Sequence, residues 1–105
     1  KHQAIQFMLA DMKTKVEASR LLTWKSAIEF DNGITNTESA AHAKRFTADS
    51  CMEVTTDAVQ VFGGYGYSEE YPVARLMRAA KVMQIYEGSS QVQRMIIGRE
   101  ITKNL

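Results

Sequence analysis

Two short stretches of the chain carry residues whose types and spacing could do chemistry. The first is Tyr86-Glu87-Gly88-Ser89-Ser90, where a lone carboxylate stands between an aromatic side chain and a glycine, just ahead of a helix start. Burial of Glu87 against Tyr86 and a ligand would suit it to the work of a general base, while the dipole of the following helix would favour its charged form and oppose this. The same pattern suits a solvated glutamate that merely complements a helix N-terminus. The second stretch, Gly63 to Pro72, places three glycines and three tyrosines in ten residues. Glycines there let backbone approach a phosphate or a ring. Yet no strand pattern precedes them and no Gly-Lys-Ser/Thr follows, so neither the dinucleotide fingerprint nor a phosphate loop is present. A glycine helix stop followed by a turn, its tyrosines packed on the end of a bundle, fits equally.

The remaining reactive types point to packing rather than chemistry. His2 and His42 are the only histidines and lie far apart without a further ligand at metal spacing, so no metal site is expected. His42 is expected to pair with Glu38 one turn earlier. Cys51 sits in an Ala/Ser-rich segment and reads as a small packing residue. Arg75, Arg78 and Lys81 recur at helical spacing, facing either phosphates or solvent, with a solvated face expected. The six methionines are expected to fill irregular core gaps, and Trp24 to lie in a core or an interface.

Helices must position these residues, because one proline and six glycines leave few places to break them. Ile5, Leu9, Met12 and Val16, continued by Leu21, Leu22, Trp24 and Ile28, predict a long amphipathic helix from Gln3 to Asp31. It would extend about 40 Å and needs companions alongside it. Asp31-Asn32-Gly33 ends it, and Thr35-Asn36-Thr37-Glu38 reads as a capping box opening a second helix that stops at Gly63-Gly64. The many Ala and Ser of that helix predict close helix approach. Pro72 suits the first turn of a third helix ending near Tyr86, and Ser90-Gln91-Val92-Gln93 reads as a capping box for a fourth. The predicted fold is all-α, an up-and-down four-helix bundle filling residues 1–105 as one domain.

Composition narrows the partners. Thirteen Lys and Arg against twelve Asp and Glu leave a formal charge of +1, with no block of either sign, so neither nucleic acid nor an anionic membrane is expected as a partner. No apolar run approaches the roughly 18 residues of a membrane span, and Lys1-His2-Gln3 is unlike a signal peptide. A single cysteine excludes an internal disulfide and suits a reducing compartment. The start without Met fits a piece of a longer protein at least as well as a processed chain.

The two stretches gain meaning together. Gln60-Val61-Phe62-Gly63-Gly64-Tyr65-Gly66-Tyr67, then Tyr71-Pro72-Val73, Leu76-Met77-Arg78 and Gln84-Ile85-Tyr86-Glu87-Gly88-Ser89-Ser90-Gln91-Val92-Gln93-Arg94, form an ordered set that resembles the acyl-CoA dehydrogenases. His2-Gln3-Ala4-Ile5 through Met8-Leu9-Ala10-Asp11-Met12 is similar to the start of that family's C-terminal helical domain, so the resemblance spans nearly the whole chain. It implies a flavin enzyme whose N-terminal helical and middle β-domains lie outside these 105 residues. It also implies that the isolated chain is inactive.

By the same resemblance Glu87 removes the α-proton of a fatty acyl-CoA thioester while the β-hydrogen leaves as hydride to FAD, giving a trans-2-enoyl-CoA. The backbone N–H of Glu87 and a flavin hydroxyl would polarise the thioester carbonyl, with Tyr86 and Gly88 against the substrate. FAD contacts are implied at His2 and Gln3, at Gln60, Val61, Phe62, Gly63 and Gly64, and at Ser89, Ser90 and Gln91. The segment from Gln60 to Gly64 would serve the FAD of a neighbouring subunit, making a homodimer or homotetramer part of the site. Electrons would pass to an electron-transferring flavoprotein, in bacterial cytoplasm or mitochondrial matrix and not outside the cell. Glu87 argues against subfamilies, such as the isovaleryl-CoA enzymes, that take the base from an earlier helix. Ala79 departs from the Asp many members carry after the Met-Arg pair. An oxidase-like relative reoxidised by O₂ and a non-catalytic helical interaction module are the competing readings.

Overall fold

The apolar stripe beginning at Ile5 requires an unbroken helix, and α1 runs over Gln3–Asp31 as expected. The computed structural model describes residues 2–105. Asn32 and Gly33, the latter at φ +70°, turn the chain into α2 (Thr37–Phe62), which lies antiparallel to α1. Lys15 Nζ donates to Glu53 at 2.6 Å, and nearer the turn the Asn36 amide reaches Ser26. Gly63, at φ +66°, ends α2, and a single helical turn, α3 (Gly64–Tyr67), leads to α4 (Pro72–Met83) and α5 (Ser90–Thr102). Pro72 opens α4 where its missing N–H leaves nothing unsatisfied. The molecule measures 50 × 28 × 27 Å, its long axis set by α1 and α2.

α2 is the central element, against which every other helix packs. Small side chains make this possible: the buried apolar residues are Ala41, Ala43, Ala48, Ala74 and Ala80. Backbones thus approach closely, as the Ala/Ser content predicts, and the architecture is the expected all-α, up-and-down bundle. Large apolar side chains mostly stay outside this core. On α1, Phe7, Leu21, Trp24, Ile28 and Phe30 are each more than half exposed.

Several local expectations are corrected. α2 begins one residue later than the Thr35 capping box implies: Asn36 is the N-cap, and its amide donates to Ser26 O and Ser26 Oγ at 3.1 and 3.2 Å instead of closing a cap. α5 begins one residue earlier in its capping: Ser89, not Ser90, is the N-cap, its Oγ accepting the Val92 N–H at 3.2 Å. The expected loop after Gly63 contains the helical turn α3, seated by Gly66. A Cβ there would lie 2.5 Å from Val59 O and 2.7 Å from Phe62 Cβ, so only glycine lets this turn rest on α2. Met83 and Met95, at 40% and 72% exposure, do not fill the core. His42 does meet Glu38, at 3.3 Å, and Arg75, Arg78 and Lys81 are exposed.

Candidate active site

Glu87 lies in the six-residue connection between α4 and α5, and α2 supplies the side chains that shape it. Lys44 Nζ donates to Met83 O at 2.6 Å and to Tyr86 O and Gly88 O at 3.3 Å each. Carbonyls at a helix C-terminus lack intrahelical partners and attract a cation, so one ammonium both ends α4 and gathers the loop. Asp49, just over one turn along α2, closes the other side. Its Oδ1 accepts from Gln84 Nε2 at 2.8 Å and from Ser90 Oγ at 2.7 Å, tying the first residue of the connection to the first residue of α5. The Ser90 N–H donates to Gln84 O at 3.0 Å, closing the loop on itself.

Within this frame Glu87 takes φ +54°, the left-handed region, and is the one described residue other than glycine to do so. Such a conformation costs roughly 1–2 kcal/mol for an L-residue and persists where its surroundings enforce it. Its side chain is exposed, with Tyr86 beside it and the Tyr86 hydroxyl 3.2 Å from Met83 Sδ. Gly88 follows at φ +88°, and a Cβ there would fall 2.5 Å from Gln93 Nε2. The buried Gln93 amide donates to Gly88 O at 3.3 Å, and the positive φ of Gly88 is what favours glycine there. Among the described residues, the Glu87 N–H donates to no protein group.

The other expected site residues fall into two clusters. Ser89, Ser90 and Gln91 adjoin Glu87. Ser90 is buried with its hydroxyl bound to Asp49, while Ser90 and Gln91 line a concavity of about 260 Å³ with Arg45, Asp49, Lys81 and Arg94. Gln60, Val61, Phe62, Gly63 and Gly64 lie at the far end of α2, about 20 Å from Asp49 by helical rise. His2 and Gln3 share that end, because the Lys15–Glu53 pairing carries the start of α1 to the level just past Phe62. A Cβ on Gly63 or Gly64 would meet nothing, so that end is open. The structure therefore does not bring the two clusters together within one chain. Gln93, expected in a capping box, instead turns its amide to Gly88 O, while Lys44 and Asp49 escaped the sequence reading. Only their helical spacing toward α4 could have signalled them, and a lysine in an Ala-rich helix carries no such signal alone.

The family model for the acyl-CoA dehydrogenase C-terminal domain matches residues 1–102. The chain belongs to this family. It is 52% identical over 102 residues to cyclohexane-1-carbonyl-CoA dehydrogenase of Geobacter metallireducens, covering 97% of this chain and 27% of that protein. The solved butyryl-CoA dehydrogenase of Megasphaera elsdenii superposes with a TM-score of 0.94 at 56% identity, over 96% of this chain and 26% of that one. A structure described as an electron transferring flavoprotein of Acidaminococcus fermentans matches with a TM-score of 0.96 at 53% identity, over 98% of this chain and 27% of that one. The chain thus spans about a quarter of the length of the relatives it matches. This acyl-CoA dehydrogenase domain has no helix long and apolar enough to cross a membrane among its described residues.

Proposed function

We propose that this chain is the C-terminal helical domain of a FAD-dependent enzyme that converts a fatty acyl-CoA thioester to the trans-2-enoyl-CoA, with Glu87 as the base. The carrying observation is the strained, exposed Glu87 in a connection braced from α2 on both sides. An α-proton beside a thioester is a weak acid, so its removal needs a base held in place and a donor at the carbonyl oxygen as charge develops there. Glu87 offers both: its carboxylate takes the α-proton, and its unpartnered N–H points a donor from the same residue. Tyr86 and Gly88 flank the position the acyl group would take. The names of the relatives, butyryl-CoA and cyclohexane-1-carbonyl-CoA dehydrogenases, support a compact acyl group.

The donor set fits part of a flavin dinucleotide. Ser90, Gln91, Lys81 and Arg94 line a cationic concavity at the start of α5, suited to an anionic cofactor. Its volume of about 260 Å³ falls below the roughly 300–1,000 Å³ that encloses a ligand, so this chain holds only a portion. His2, Gln3 and Gln60–Gly64, about 20 Å away by helical rise, would serve the cofactor of a neighbouring subunit. When bound, FAD would supply the acceptor for the β-hydrogen and its electron pair, and Glu87 would take the α-proton. The exposed apolar face of α1 supports packing against further domains and subunits of a homo-oligomer. An electron-transferring flavoprotein is the proposed electron acceptor, and cytoplasm or mitochondrial matrix the proposed compartment.

In the full-length protein, Glu87→Gln is expected to keep FAD and to lose flavin bleaching by acyl-CoA by at least about 10²- to 10⁴-fold under anaerobic conditions. Unchanged bleaching would overturn the assignment. Rapid reoxidation of the reduced wild type by air would make the enzyme an oxidase.

A further inference from the structure

The Lys44 ammonium and the Glu87 N–H meet at one peptide unit, the first bound to its carbonyl and the second its own donor. Lys44 donates to the Tyr86 carbonyl, and the N–H of that peptide unit is the Glu87 N–H, which has no acceptor among the described residues. In a trans peptide the C=O and N–H point in opposite directions. Fixing the carbonyl toward α2 therefore aims the N–H away from the bundle. A charge-assisted bond to the carbonyl also polarises the amide and makes its N–H a stronger donor.

We infer that Lys44 is a positioning residue for activation of the thioester, aiming and polarising the Tyr86–Glu87 peptide so that the Glu87 N–H meets the carbonyl oxygen of the acyl group. The inference rests on the reaction proposed above. Lys44 touches neither substrate nor cofactor in this role. It acts through the peptide, and its two other bonds, to Met83 O and Gly88 O, hold the residues on either side so that the plane cannot rotate. The Gly88 carbonyl is held again by Gln93 Nε2, so the loop keeps an anchor when Lys44 is changed. Asp49 contributes two further ties that do not involve Lys44. A Lys44 variant is thus expected to retain the loop while losing the aim of one donor.

The test uses the full-length holoenzyme with Lys44→Met and Lys44→Gln, and an enoyl-CoA product labelled with ¹³C at the thioester carbonyl. Infrared difference spectra report how far binding lowers the carbonyl stretching frequency. Removing an oxyanion donor outright costs about 10²- to 10³-fold, so Lys44→Met, which leaves the donor but frees it, is expected to lower kcat by about 10- to 100-fold. KM should change by less than about 3-fold, FAD content should hold, and the carbonyl shift should shrink. Lys44→Gln, neutral but able to donate to one carbonyl, should fall between, and it decides the matter if Lys44→Met does not fold. A full carbonyl shift in either variant overturns the inference, whether kcat is retained or falls only in step with lost FAD. A wild type that neither binds FAD nor is reduced by acyl-CoA would instead fail the parent reaction, an outcome separate from any behaviour of the variants.

Discussion

The two connections that flank α4 are built by different means. The one carrying Glu87 is braced by charged and polar side chains: Lys44 on three carbonyls, Asp49 on Gln84 and Ser90, and Gln93 on Gly88. The one from Gly63 to Tyr71 is held by close backbone approach at Gly66 and by edge-on aromatic contacts, Tyr71 to Phe62 at 6.1 Å and to Tyr65 at 5.8 Å. Tyr65 and Tyr67 remain 71% and 80% exposed. A loop that must hold one donor and one carboxylate in place needs directional bonds. A loop that ends a helix and presents an open glycine backbone needs only a seat.

That difference can be broken experimentally from either side. The largest expected effect is at the level of the whole chain: residues 1–105 alone should show no FAD-dependent oxidation of any acyl-CoA, and measurable turnover would refute the division of the site among several domains. Next is Gly66→Ala, whose Cβ would meet the Val59 carbonyl, a backbone atom that cannot move aside. Overpacking of this kind costs about 1–3 kcal/mol, read as a lower midpoint in denaturant, with the glycine loop of the full-length protein displaced. Asp49→Ala should cost a comparable 1–3 kcal/mol, roughly, because it strips the acceptor from Gln84 and the buried Ser90. Unlike Gly66→Ala it should also lower kcat. Ser89→Ala removes one cap and should cost about 1 kcal/mol by the same measurement.

The smallest effect concerns the exposed face of α1. The Glu17 carboxyl is held below its ordinary value of 4.5, first by the hydrogen bond from Lys13 and then by the charges of Lys13 and Arg20. A depressed carboxyl stabilises the fold above its unfolded pKa and loses that contribution as pH falls through the folded one. The difference in Tm between wild type and Glu17→Gln should therefore be present at neutral pH and vanish in acid, with no change in activity. A difference that grew in acid would reverse the sign.

Much of this was legible in the residues. The span of α1, the stop at Gly63 and the start at Pro72 follow from periodicity, glycine and proline, each a local signal. The capping residues were displaced by one position: Ser90 gives its hydroxyl to Asp49 and leaves Ser89 to cap α5, while the Asn36 at the start of α2 turns its amide to Ser26 and makes no side-chain cap. The turn at Gly64–Tyr67 depends on contact with Val59 and Phe62, which no local pattern shows. In the site, Glu87 and its glycine stood out by type and spacing. Lys44 and Asp49 did not, because about forty residues separate them from the loop they hold and only the packing of α4 and α5 on α2 unites them.

The central claim is that Glu87 removes the α-proton from a thioester held at this loop. Exchange of that proton with deuterium from solvent, followed in the full-length holoenzyme with a 3-thia-acyl-CoA that cannot lose a β-hydride, isolates this step from flavin reduction. Wild type is expected to exchange the α-proton readily, and Glu87→Gln to bind the analogue with a similar Kd while exchange stops. Exchange at the wild-type rate in Glu87→Gln would contradict the account.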